Sequence, residues 1–310
     1  MKVEEFTVLG KHDLEISCFK IVPQGDVLGV IQVFHGMGEH KNRYHHFAKY
    51  MAKNGFAVYA HDHPKHGFSV KKKEDVGIST SEDTWEDVVD DCNIISGVIE
   101  KDFPSTPIII MGHSMGSVIA RKYIASYATI PSMAIIMGTL PPISKGKAMV
   151  PLLLTGIVGL FKKDKRLPFI AKLLNDPLNK NIKDQRTKFD WLTYDTKEVD
   201  KYIKDPLCGY DYSKTFYKEF FRSMVDINKT ETILKTKDIP LLFISGKDDP
   251  VGDYGEGVMK VKELYSKNGY NKSTLKLIEH NRHEIINEKD KNETYKYIVN
   301  WINTERLNIN

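Results

Sequence analysis

Ser114 stands in Gly112-His113-Ser114-Met115-Gly116. A serine hydroxyl is a weak nucleophile at neutral pH. It needs a base to take its proton, and the base needs a partner to hold its tautomer. The flanking residues say how such a serine could be presented. Ile108-Ile109-Ile110-Met111 is an unbroken apolar run, the mark of a strand buried on both faces. From Val118 on, Val118, Ile119, Tyr123, Ile124 and Tyr127 recur at helical spacing. A strand that becomes a helix within three residues leaves no room for side chains beside the turn. Glycine at 112 and 116 removes that clash and leaves Ser114 exposed at the apex. The five-residue pattern alone is weak; its strand-turn-helix setting gives it weight.

For a serine on such a turn, an acid and then a histidine are expected downstream, each just after a strand. The acid falls in Ser245-Gly246-Lys247-Asp248-Asp249-Pro250, and the histidine in Glu279-His280-Asn281-Arg282-His283-Glu284. The residues alone leave Asp248 and Asp249 open as the acid, and His280 and His283 open as the base. Upstream, the apolar run Leu28–Phe34 ends in His35-Gly36-Met37-Gly38-Glu39-His40. Two glycines straight after a strand let the backbone turn sharply and bring N–H groups near a bound oxygen. His61-Asp62-His63-Pro64-Lys65-His66 invites a metal reading. It lacks regular ligand spacing on a helix face, and Pro64 and Gly67 mark a loop, so no metal is expected. Cys92 lies on the apolar face of a helix and reads as core.

The elements that must position these residues alternate. Glu5–Leu9 and Ile16–Val22 read as an antiparallel pair turning at His12-Asp13. Strands over 28–34, 56–60, 107–111 and 132–138 then alternate with helices over 44–52, 85–99 and 118–127. Ser81 is the expected cap of the second helix, with Glu82 and Asp83 in its first turn. The alternation breaks at Leu140-Pro141-Pro142 and resumes at Ile239, with strands over 239–246 and 274–278. This pattern predicts an α/β fold with a mostly parallel sheet flanked by helices. The core is 1–139 and 238–310, and 140–237 is an inserted helical cap.

A chain of 310 residues with a net charge of +4 fits one such domain with an insertion. No basic run is interleaved with aromatics, so no nucleic-acid partner is expected. Cys18, Cys92 and Cys208 are scattered and odd in number, which suits free thiols in a reducing compartment. The N-terminal residues do not read as a signal peptide, and the longest apolar stretch, Met149–Phe161, is too short to span a bilayer. The expectation is a soluble, cytoplasmic protein. Nothing in the sequence specifies an oligomeric state.

These motifs together resemble the monoacylglycerol lipase and lysophospholipase branch of the α/β-hydrolases. The resemblance is carried by His35-Gly36-Met37-Gly38-Glu39-His40, His61-Asp62-x-x-x-His66-Gly67-x-Ser69, Gly112-His113-Ser114-Met115-Gly116, Asp205-Pro206-Leu207, Gly246-x-x-Asp249-x-Val251 and Arg282-His283-Glu284. They run through nearly the whole chain in the family's order. The resemblance implies an α/β-hydrolase fold with Ser114 as nucleophile, Asp249 as acid and His283 as base. It implies the backbone N–H groups of Met37 and Met115 as the oxyanion hole, and a cap whose mouth faces lipid. Ser117 stands where the family often has glycine, and Pro64-Lys65 where small residues are common; neither touches the proposed chemistry. The cap diverges most.

The implied activity is ester hydrolysis on a single-chain acyl lipid, with no metal or organic cofactor. His113, Met149, Leu153, Ile157 and Cys208 are the candidates for substrate contact. Met149–Phe161 is apolar on nearly every face and flanked by lysines. It reads either as a helix buried over the site or as one making transient contact with a membrane surface, which would place the protein peripherally on a membrane. Competing functions are a short-chain carboxylesterase, a thioesterase or a peptidase on the same fold. More distant is a non-catalytic ligand-binding protein; such proteins usually lack one of the three residues kept here.

Overall fold

The computed structural model describes residues 2–80, 82–143 and 165–309. Its frame is an eight-stranded sheet in the order β1-β2-β4-β3-β5-β6-β7-β8. The strands are β1 (Glu4–Leu9), β2 (Glu15–Ile21), β3 (Gly29–Phe34), β4 (Phe56–His61), β5 (Ile108–His113), β6 (Pro131–Met137), β7 (Leu241–Gly246) and β8 (Ser273–Ile278). β2 runs antiparallel to both β1 and β4, and β3 to β8 are mutually parallel. This is the mostly parallel sheet expected from the alternation, in the α/β-hydrolase architecture that the resemblance implies.

Side-chain alternation along each central strand feeds two apolar layers. Ile108 and Ile110 of β5 point into one layer, and Ile109 and Met111 into the other. β6 and β7 repeat the pattern: Ala134, Ile136, Leu241 and Phe243 on one face, Ile135, Met137, Leu242 and Ile244 on the opposite one. The first layer is closed by helices Trp85–Asp102, Met115–Ser126 and Glu256–Lys267. The second is closed by His45–Lys53 and Lys291–Ile309.

The helix Trp85–Asp102 starts later than the Ser81 cap expected from sequence. Thr84 is its N-cap: its hydroxyl accepts from the Asp87 N–H, and the Asp87 carboxylate accepts from the Thr84 N–H in return. Two orphan amides are thereby satisfied at once, which an N-cap without this reciprocal partner cannot do. Glu82 and Asp83 therefore precede the helix, and Glu86 and Asp87 occupy its first turn.

All parallel strands end at one edge. β4 and β5 lie on opposite sides of β3, so the chain reverses its direction of advance there. Loops diverge at such a point and leave a crevice. Ser114 follows β5 directly and the Gly36–Gly38 loop follows β3. Between β6 and β7 the described residues form no strand of the sheet. They form helices Pro168–Asn175, Thr196–Lys204, Lys214–Asp226 and Thr230–Ile233. This segment bonds to the edge where the strands end: the Gly38 N–H donates to the Tyr212 hydroxyl at 2.5 Å and the Gly209 N–H to the Gly38 carbonyl at 2.9 Å.

Two glycines in helices make opposite predictions. A Cβ at Gly116 would sit 2.0 Å from the Phe34 carbonyl oxygen, whereas one at Gly97 meets nothing within 4 Å. Gly116→Ala is expected to lose about 3 kcal/mol of stability or more. Gly97→Ala should gain roughly 0.5–1 kcal/mol. Urea unfolding of both variants beside the wild type checks the pair.

Candidate active site

Ser114 is placed by steric necessity. Its φ of 53° and ψ of −118° lie outside the helical and extended regions, and its N–H donates to the Met137 carbonyl at 2.9 Å. A Cβ at Gly112 would come within 2.1 Å of the Gly116 carbonyl oxygen. Only glycine at both positions lets β5 turn into its helix this tightly. The serine is partly exposed amid buried neighbours.

His283 lies after β8, and its Nδ1 is 3.0 Å from both carboxylate oxygens of Asp249. Asp249 lies after β7 and also accepts from the Ser245 hydroxyl and the Val251 N–H, each at 2.9 Å. Burial alone would raise the pKa of Asp249. The charge and hydrogen bond of His283, with the Ser245 and Val251 donors, outweigh it and hold the carboxyl below its ordinary range. With Nδ1 committed to Asp249, Nε2 is the nitrogen left for a second partner. Asp248 faces the other way, accepting from the Tyr194 hydroxyl at 2.9 Å, and His280 is an exposed turn residue with φ 55°. Of the pairs left open by sequence, the structure brings together Asp249 and His283.

Ser114, His283, Met37 and Met115 line one cavity of about 600 Å³. Met115 opens the helix after Ser114, and Met37 lies in the loop after β3. Neither backbone N–H donates to an acceptor among the described residues. Two free amides beside a serine can hold an oxyanion. The rest of the lining is largely apolar and includes Leu140, Leu174, Trp191, Phe220, Phe221 and Met224.

His113 also lines this cavity, but both its nitrogens are engaged: Nδ1 is 3.1 Å from Glu39 Oε1 and Nε2 is 3.2 Å from the His283 carbonyl oxygen. Two acceptors call for two N–H donors, which is the imidazolium. Burial pulls the His113 pKa down, yet the hydrogen bond and charge of Glu39 outweigh it and raise it. Burial pushes Glu39 up, but the His113 hydrogen bond and the Arg43 charge hold it well below the carboxylate range.

Cys208 is not among the residues that line the cavity. It packs against Phe189, Val199 and Tyr202, while its neighbours Gly209 and Tyr210 reach the cavity wall. Met149, Leu153 and Ile157 lie outside the described residues. The sequence reading missed Trp191, whose ring lies 5.3 Å from that of His283, and the Arg43–Glu284 pair. The signal for the pair was present in Glu39-x-x-x-Arg43 and in Glu284 following His283.

The histidine-rich loop gathers His61, His63 and Cys92, whose ligand atoms lie within 4.8 Å of one another. All three are buried. Burial pulls the His61 pKa down to about 3 and pushes the Cys92 thiol well up, so the trio carries no charge. A cation bound there would have to displace the thiol proton. None of the three lines the cavity over Ser114.

The raised His113 pKa has a stability consequence with a definite sign. The bonus from His113 is full below the unfolded pKa of about 6.5 and is lost as pH rises through the higher folded value. The stability gap between wild type and His113→Gln should therefore be wider at acid than at alkaline pH. Denaturant titrations across the neutral range read it directly.

The Hydrolase_4 family model, described as serine aminopeptidase, S33, matches residues 25–290. A monoacylglycerol lipase of Mycolicibacterium smegmatis is 25% identical over 281 residues, covering 90% of each chain. The human monoglyceride lipase is 27% identical over 283 residues, covering 90% of this chain and 84% of its own. A solved carboxyl esterase from Bacillus coagulans, in complex with glycerol, superposes with a TM-score of 0.88 at 27% identity over 99% of both chains. The chain belongs to the Hydrolase_4 family, within the monoacylglycerol lipase branch of the α/β-hydrolases.

Proposed function

We propose that this carboxylic ester hydrolase releases a fatty acid from monoacylglycerol or a related single-chain acyl lipid. The reading is carried by one observation. A largely apolar chamber of about 600 Å³ is lined by Ser114, His283, Met37 and Met115. An acyl chain needs an apolar slot that ends at the nucleophile, and this chamber offers one.

In the proposed reaction His283 Nε2 takes the Ser114 proton as Oγ attacks the ester carbonyl. Asp249 holds the Nδ1–H tautomer and stabilises the imidazolium. The Met37 and Met115 amides receive the charge on the carbonyl oxygen. His283 then protonates the departing alcohol. Water, activated by His283, attacks the acyl-serine, and the fatty acid leaves with Ser114 restored. Residues 140–237 act as a cap over a core of 1–139 and 238–310, supported by the bonds from Gly209 and Tyr212 to Gly38. Contact of this cap with a membrane surface is proposed from the sequence of Met149–Phe161, which lies outside the described residues. Among the described residues no helix is long and apolar enough to cross a membrane.

A second reading keeps the same residues on a shorter or different acyl compound. The likeness to the Bacillus coagulans carboxyl esterase favours another carboxylic ester, and the description of the matched family a peptide. Fatty-acid release from monoacylglycerols of several chain lengths, lysophosphatidylcholine and p-nitrophenyl esters separates the readings. Monoacylglycerol is expected to be the best substrate. Turnover confined to acetate or butyrate esters would defeat the lipase reading. Ser114→Ala should lower turnover by roughly 10⁶-fold and Asp249→Asn by roughly 10⁴-fold. A fluorophosphonate that fails to label Ser114 would point instead to a non-catalytic binding protein.

A further inference from the structure

Arg43 joins two parts of the site that the sheet keeps apart. The Met37 amide comes from the loop after β3 and His283 from the loop after β8, and β5, β6 and β7 lie between those strands. Arg43 spans the gap. One NH1 hydrogen bond reaches Glu39 Oε2 at 2.9 Å. A two-pronged pair reaches Glu284, NH1 to Oε1 at 2.5 Å and NH2 to Oε2 at 2.6 Å. The guanidinium lies 4.9 Å from the centre of the Tyr202 ring, and all three charged side chains are largely buried.

Each carboxylate is fastened to one half of the proposed machinery. Glu39 Oε1 accepts from the Gly36 N–H at 2.6 Å and the Tyr44 hydroxyl at 2.9 Å, which fixes the turn that carries Met37. Glu284 follows His283 directly, and its own N–H donates to the Leu192 carbonyl at 2.7 Å. His113 adds a second tie, from Glu39 to the His283 carbonyl. The charges balance: Glu39 and Glu284 against Arg43 and the His113 imidazolium.

We propose that Arg43 is a positioning residue for ester hydrolysis, a cross-tie that sets the distance between the Met37 amide and the His283 imidazole and offsets two carboxylates beside the oxyanion. The proposal rests on the roles given above to Ser114, His283 and Met37. Arg43 does not touch the reacting atoms; it acts through Glu39 and Glu284. A lysine keeps the charge but cannot make the two parallel bonds to Glu284. Its loss should be felt in the chemical step rather than in binding, because misplacing catalytic groups by about 1 Å costs on the order of 100-fold.

The test compares wild type, Arg43→Lys and Arg43→Ala on p-nitrophenyl butyrate, with active sites counted by fluorophosphonate labelling. Per labelled site, Arg43→Lys should lose about 100-fold in kcat with KM changed by less than about twofold. Added guanidinium should restore Arg43→Ala by about tenfold, and sodium chloride of equal ionic strength should not. If Arg43→Lys keeps kcat per labelled site within about threefold of wild type, the proposal is overturned and the residue only holds the fold. Should both variants fail to fold, Glu284→Gln keeps a neutral acceptor for one prong. A fall of about tenfold in its kcat at unchanged KM supports the cross-tie, and wild-type kcat overturns it. A wild type that is labelled at Ser114 yet hydrolyses no ester would sink the functional reading instead.

Discussion

Two backbones meet at Gly116 with no room for a single added carbon, and Gly112 meets the same helix almost as closely. The rest of the site depends on this contact. It brings the start of the Ser114 helix against the end of β3, so the loop after β3 arrives beside the serine. Ser114 then takes a backbone conformation that an L-residue avoids, at a cost of about 1–3 kcal/mol. The packing of Val118, Ile119, Tyr123 and Ile124 into the first apolar layer offsets that strain. Strain and packing together leave one polar side chain partly exposed where a chamber opens.

Electrostatics sorts the histidines at this edge into two kinds. His35, His61, His63 and His66 are buried together, and burial pulls each below the ordinary imidazole range. His113 is equally buried, yet its pKa is raised because Glu39 lies 3.1 Å away. One carboxylate decides between a neutral aromatic wall and a charged one. The neutral cluster packs behind Phe34 and Tyr212, supporting the β3 loop from below. The charged group lies in front of it, where its donors are directed at carbonyl and carboxylate oxygens.

Much of this was legible because it is local. The alternating layers follow from period-two apolar runs, and the glycines around Ser114 follow from the crowding of a strand that turns at once into a helix. The Thr84 cap was legible too, in Thr84-x-x-Asp87, but Ser81 offered a competing hydroxyl three residues earlier. Adjacent identical residues defeat such reasoning. Asp248 and Asp249 share one turn, and only the fold decides which side chain turns inward to His283 and which outward to Tyr194. Cys208 sits beside cavity-lining residues in sequence but behind them in space. The tie between Arg43 and Glu284 has only local signals on each side, in Glu39-x-x-x-Arg43 and His283-Glu284; that the two meet is decided by the fold, since they are 241 positions apart.

The distances along the chain have a temporal meaning. Arg43 and Glu284 are 241 positions apart, and His283 lies 34 residues beyond Asp249. Chains emerge from the ribosome N-terminus first, and contacts between distant segments wait for loop closure. The strands that cradle Ser114 are complete by β6, well before the histidine loop is made. A nascent chain can therefore build its serine turn long before the Asp249 and His283 segments or the Arg43–Glu284 tie exist. The Asp249–His283 pair and the Arg43–Glu284 tie are completed among the last events of synthesis, when the loop after β8 docks.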